Sequence, residues 1–305
     1  MTDKKLHFLA PVCIILAAVF WGFLFVFVRR FTALGFSSLE IVALRCTGSA
    51  IWLWLYVYFF ERHNETASEP NIALRLADVW CFLGSGLVSI VFFSWCYFKN
   101  VAISSAAFAA VLMYTSPIFV LLISALLFHE RITRIKAAAL FIAIIGSSLV
   151  SGITPLSFSS NESISLLGIL LGLGSGIGYA LYSIFGRLAL ERGYRPMIVT
   201  AWTFLFAALG TLLLINSNAL FSQIFAAGSL IFLWLAMGLF GSCLPFSLYT
   251  VGLKHMEPGR AAVLATLEPI ITTLAGIFLY DESLNFTEAV GIILVLSAGV
   301  LITRK

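Results

Sequence analysis

Charge is what this chain has least of. Only 10% of its 305 residues are Asp, Glu, Lys or Arg, where soluble proteins carry about 25%. With so few charges and 61% hydrophobic residues, the chain cannot be a soluble domain, a disordered segment or a coiled coil. Cysteine is equally uninformative. Cys13, Cys46, Cys81, Cys96 and Cys243 are scattered through apolar runs without CxxC spacing, which excludes a disulfide scaffold and a cysteine metal site. The four histidines sit at span ends or in loops and form no HExxH pair. GxSxG and Walker sequences are missing too. The chain therefore reads as no enzyme, with no catalytic residue, metal or cofactor, and as no ATP-driven pump.

Apolar runs dominate, and the mean hydropathy is +1.05. Runs of 18 or more apolar residues read as membrane spans. Ten are expected, over 9–28, 39–60, 77–98, 106–128, 135–150, 166–186, 197–215, 229–251, 261–280 and 289–302. The first lacks a convincing cleavage site and reads as an uncleaved span. The pattern predicts an all-α membrane protein in which the lipid bilayer is the main partner.

Net charge is +4, but the cations are spread over short loops and form no nucleic-acid patch. Their placement instead sets topology. Fourteen of the 18 Lys and Arg fall in the termini and alternate loops, three in the other set, and Arg45 inside a span. Positive charge marks cytoplasmic loops, so both termini are expected in the cytoplasm of an inner or plasma membrane, and 151–165 outside it.

A shift of 152 residues aligns Ala109–Leu112 with Ala261–Leu264, Tyr97 with Tyr249, Pro117 with Pro269 and Glu130 with Glu282. Pro and Glu are rare here, so their shared spacing is informative. Five spans per copy invert the second copy. The expected organisation is a first repeat at 9–150, a linker at 151–165 and a second repeat at 166–303, that is, ten transmembrane helices as two inverted five-helix repeats. Such repeats place a substrate site near the bilayer midplane.

Trp21-Gly22, Leu44-Arg45, Ala109–Leu112, Leu267-Glu268-Pro269, Asp281-Glu282 and Gly291…Gly299 resemble the EamA-type carriers of the drug/metabolite transporter superfamily. The resemblance spans essentially the whole chain. It implies a bacterial inner-membrane carrier, often an exporter of amino acids or related metabolites.

Arg45 and Glu268 stand deepest in the apolar runs, where each charge costs roughly 2.5–3.5 kcal/mol on the insertion scale. Glu268 fits two roles: a proton or substrate-amine site facing a cavity, or a structural acid that fills a backbone gap or pairs with Arg45. Arg45 reads as a structural ion-pair partner or gate. Ala261, Ala265, Glu268, Thr272 and Ala275 make a small, polar stripe, with Val263, Leu267, Ile270, Ile271 and Leu274 on the opposite, lipid-like side. Pro117 and Pro269 each free a carbonyl four residues back, as hinges or as static kinks. Gly168, Gly172 and Gly176 permit close helix approach. Ser116, Trp21, Tyr97, Tyr114, Tyr179 and Tyr249 complete the candidate substrate or coupling residues, although such aromatics also serve packing and the membrane interface.

The expected function is secondary active transport of a small-molecule substrate by alternating access, coupled to protons or another ion. Two alternatives stay open. One is an antiporter of phosphorylated sugars or nucleotide-sugars, for which a single intramembrane arginine is too few cations. The other is a non-transporting sensor or assembly protein, for which duplicated prolines and a midspan acid have no use.

Overall fold

A computed structural model describes residues 3–61, 73–104, 106–152 and 165–303, and every regular element among them is helical. Most of the expected linker (153–164), with Arg62, Arg304 and Lys305, lies outside the described residues.

Ten spans cross the bundle. In the first half they are α1 (Asp3–Ala33), α2 (Ser38–Glu61), α3 (Leu76–Ile103), a broken α4 (Ala106–Met113 as α4a, Ser116–Leu127 as α4b) and α5 (Arg134–Val150). In the second they are α6 (Leu166–Glu191), α7 (Pro196–Leu212), α8 (Gly228–His255), a broken α9 (Pro258–Ala265 as α9a, Glu268–Tyr280 as α9b) and α10 (Phe286–Thr303). Eight are long and apolar enough by themselves, and α7 turns through 106° into the helix Ser217–Phe225. The 17 residues of α5 rise about 25 Å at 1.5 Å per residue, within reach of a tilted or thinned span.

Packing repeats with the halves. α1 lies against α8 and α9, and α6 lies against α3 and α4. The self-related pairs α2–α7, α4b–α9a and α5–α10 also touch. A Cβ at Gly146 would meet Val295 and the Gly291 carbonyl, and one at Gly291 would meet Val150, so α5 and α10 run antiparallel. Equivalent spans running in opposite directions are what inverted repeats require. Glycine makes the close approach possible here, and Gly172 and Gly176 do the same against Leu112 and Thr115 of α4.

Both matched prolines break their spans outright. The gap in α4 is closed by the bonds Thr115 N→Leu112 O (3.2 Å) and Ile118 N→Thr115 O (2.9 Å). Leu267 N→Leu264 O (3.2 Å) and Ile270 N→Leu267 O (3.1 Å) do the same in α9. The breaks are tight turns of i→i−3 type, each followed by a helix with proline in its first turn.

The sequence pattern gave no sign of π-helical turns at Gly84–Val91 in α3 and Leu239–Cys243 in α8. They end at positions 152 residues apart, and such turns often mark functional sites. The far side of α9 also corrects its lipid-like reading. Val263 is a core residue, and Ile270, Leu267 and Leu274 pack on Val150 and Val295, because α5 and α10 cover that face.

The end of the bundle where α1 begins and α10 ends is called the basic end below. There Arg192 pairs with Asp78, Arg195 Nη1 reaches Glu61 Oε2 at 2.5 Å, and Lys136 Nζ reaches Glu257 Oε2 at 2.8 Å. Each of these pairs joins one half to the other. The Tyr194 hydroxyl donates to Asp78 Oδ2 (3.0 Å) and accepts from the Arg75 amide (3.1 Å). At the opposite end the described cross-half pair is Arg29–Glu282, at 3.2 Å and half-exposed.

Candidate functional site

A cavity of about 330 Å³ lies among α1, α2, α3, α4, α6, α8 and α9, within the range of small-molecule sites. All eleven residues singled out from the sequence line it: Trp21, Arg45, Tyr97, Tyr114, Ser116, Pro117, Tyr179, Tyr249, Glu268, Pro269 and Thr272. The reason is the repeat. Tyr97 and Tyr249, Met113 and Ala265, Tyr114 and Thr266, Ser116 and Glu268, Pro117 and Pro269, and Val120 and Thr272 are pairs 152 residues apart, and both members of each pair face the cavity. The site therefore sits on the pseudo-twofold axis, and Glu268 is the acidic counterpart of Ser116.

Position along each span sets depth. Val120, Tyr182, Ser183, Phe246, Tyr249 and Ala262 are buried and form the floor, whereas Phe25, Val28, Phe98, Met113 and Tyr114 are partly exposed. Beneath the floor, Leu121, Leu253, Pro258 and Gly259 are buried. The cavity is sealed toward the basic end and widens toward the other.

The breaks aim the polar groups. Ser116 and Glu268 each begin the second half of a broken span, so their side chains project from helix starts. The Tyr179 hydroxyl points at Glu268 Oε2 from 3.5 Å. Thr272 Oγ1 donates to the carbonyls of Gly22 and Glu268, both at 3.2 Å, which ties α1 to α9 beside the acid. Ser183 Oγ and the Tyr249 hydroxyl lie 2.7 Å apart, and Trp21 packs on both Phe246 and Tyr249. The Ser151 hydroxyl donates to the Tyr114 hydroxyl at 3.2 Å.

The ion pair considered for Arg45 and Glu268 is not formed. No carboxylate among the described residues lies within 4 Å of Arg45, whose buried Nε lacks a hydrogen-bond partner. Arg45 projects from α2 while Glu268 opens α9b and is engaged by Tyr179 of α6. The cavity thus holds one cation and one anion without a salt bridge between them, in a wall rich in aromatic rings. The small stripe of α9 is also partly corrected: Ala265, Glu268 and Thr272 line the cavity, while Ala261 and Ala275, at the two ends of the stripe, are buried in the core.

Phe93, Phe98, Phe246, Ser89 and Ser94 also line the wall and escaped sequence reasoning. Phenylalanine occurs 28 times, so its identity carries no signal. Ser89 lies inside the π-helical stretch of α3, which periodicity does not reveal.

Ten spans in two inverted repeats around a central cavity define a multi-pass membrane transporter. The EamA-like transporter family model matches residues 8–152 and again 166–304; the chain belongs to that family. It is 29% identical to an uncharacterized transporter of Archaeoglobus fulgidus, over 96% of this chain and 95% of that protein. The uncharacterized inner membrane transporter YicL of Salmonella typhimurium is 26% identical, with coverages of 95% and 93%. YedA of Escherichia coli, likewise an uncharacterized inner membrane transporter, is 26% identical over 93% of this chain and 87% of its own. A solved crystal structure shares the fold, with a TM-score of 0.73 at 18% identity over 96% of this chain and 97% of that one.

Proposed function

We propose that this transporter is a secondary carrier of small zwitterionic metabolites, amino acids or related compounds, that works by alternating access between its two repeats. One observation carries the reading: Arg45 and Glu268 share a cavity without pairing to each other. Isolated charges in a low-dielectric site are costly unless a partner arrives. A ligand carboxylate beside Arg45 and a ligand ammonium beside Glu268 meet both needs at once, and the aromatic wall takes an apolar side chain. A phosphorylated sugar presents two negative charges, yet Arg45 is the cavity's one Lys or Arg among the described residues.

In this reading the basic end is cytoplasmic, 151–165 is periplasmic, and both termini are cytoplasmic, in keeping with the excess of Lys and Arg there. Export is the direction that the family resemblance implies. Energy comes from an ion gradient, with Glu268 exchanging a proton for the substrate ammonium.

Proteoliposomes preloaded with unlabelled amino acid, and a second batch preloaded with unlabelled hexose phosphate, test the proposal by counterflow of the same compound in labelled form. Exchange of apolar amino acids, lost in Arg45→Gln, is expected. Hexose-phosphate exchange without amino-acid exchange would overturn it.

A further inference from the structure

The described residues include two non-glycine positions with a left-handed backbone, His129 (φ 55°) and Asp281 (φ 53°). They are 152 residues apart, so they are the same position in the two repeats. Each lies just past the second half of a broken span, and each immediately precedes a glutamate. The bond that closes the cap is also the same: Glu130 N→Ser124 O and Glu282 N→Gly276 O, both 3.4 Å. A left-handed backbone is strained for a residue that carries a Cβ, yet both repeats retain one. The shared result is a glutamate held at a fixed angle off the end of α4b and of α9b.

Their surroundings are opposite. The Glu130 side chain is 6% exposed and the Glu282 side chain 56%. Glu130 lies against the start of α9a, where a Cβ on Gly259 would stand 3.3 Å from its Oε2. Lys136 Nζ pairs with Glu130 Oε2 at 3.5 Å and with Glu257 Oε2 at 2.8 Å. Glu282 is half-exposed, lies back over Gly276 of its own helix and meets Arg29, whose guanidinium rests 3.9 Å above the Tyr280 ring.

The rest of the bundle shares this asymmetry. α4b packs on α9a at the sealed basic end, while α4a and α9b, the equivalent pair at the other end, have no comparable packing. The cavity opens there.

We propose that Glu130 and Glu282 are reciprocal gate latches: Glu130 docks on the start of α9 when the basic end is closed, and Glu282 docks on the start of α4 when the opposite end is closed. Exchanging the roles of the repeats carries one arrangement into the other. In the second state Glu130 is solvated and Glu282 is buried with Arg29 alongside. The inference rests on the alternating-access reading and adds to it the residues that hold each closed state.

Hydrogen–deuterium exchange of the full chain in lipid nanodiscs, read by mass spectrometry, tests it. Glu130→Ala should raise exchange about ten-fold, the effect of losing roughly 1.4 kcal/mol of closure, both at 255–260 and in the distant basic-end segments around Glu61, Asp78 and Arg195. It should also lower exchange at 280–286. Glu282→Ala should shift both ends the opposite way. Glu130→Asp, which draws the carboxyl back from α9 by one methylene, serves if the alanine variant fails to fold. Changes confined to 128–134, or of the same sign in both variants, or absent from both, overturn the latch assignment. Amino-acid counterflow by the same preparations separates the two levels: flux without reciprocal exchange sinks the latches alone, and no flux in the unmodified chain sinks the carrier reading with them.

Discussion

A Cβ added to Gly22 would stand 2.5 Å from the Cβ of Ile271 and 3.0 Å from the Glu268 carbonyl. α1 therefore touches α9 with nothing between them, one turn from the cavity's only acid among the described residues. Gly22→Val forces the helices apart, an overpacking that typically costs about 1–3 kcal/mol. The melting midpoint in detergent should fall and transport should fall with it. Gly228→Ala is the control, since nothing lies within 4 Å of its added Cβ, and should change neither.

Glu268→Gln keeps the shape of the side chain and most of its hydrogen-bonding capacity while removing its charge and its ability to exchange a proton. Gradient-driven flux in proteoliposomes should drop to a small fraction of wild type, with normal membrane insertion. Uptake near the wild-type rate, with its pH dependence intact, would assign Glu268 to helix packing.

Pro117→Ala and Pro269→Ala return an N–H at each break, so that residue 117 can donate to Met113 and residue 269 to Ala265. A continuous helix competes with the tight turns now closed by Thr115 and Leu267. Expression should hold while transport slows several-fold, the loss expected of a hinge. Unchanged flux in both variants would make the prolines static kinks.

Glu130 predicts how closure responds to pH. Burial raises its carboxyl above the ordinary glutamate value and Glu257 adds to the rise, against the opposing Lys136 ammonium and Gly259 amide; Arg260, paired with Glu257 at 3.2 Å, is the next charge outward. A raised pKa means the closed end binds the proton more tightly than the open end. Its stabilisation of closure is complete below the ordinary glutamate range and is lost as pH rises through the raised value. Exchange at 255–260 should climb across that window in the unmodified chain and stay flat in Glu130→Gln. A wild-type profile without slope would remove the titration.

Much of this was legible in the residues because a bilayer imposes simple rules. Apolar runs long enough to cross a hydrocarbon core read as spans, and the repeat was visible because Pro117, Pro269, Glu130 and Glu282 are rare residue types at one spacing. The eleven candidate residues share one cavity for the same reason: polar and kinked positions inside spans have few places to go except a protein-lined interior.

What the sequence by itself determined is the number of spans, their inversion and the identity of the midspan charges, all of which follow from local hydrophobicity and from residues counted along the chain. The tertiary structure alone decided that Arg45 and Glu268 stay unpaired, that α4 and α9 break into tight turns, and that phenylalanines from α3 and α8 complete the wall. It also decided that two glutamates with the same cap live in opposite environments. These depend on which helix end is packed and which is open, a choice made by contacts between the halves, and identical local sequence signals cannot encode a difference that arises only when one end of the bundle closes.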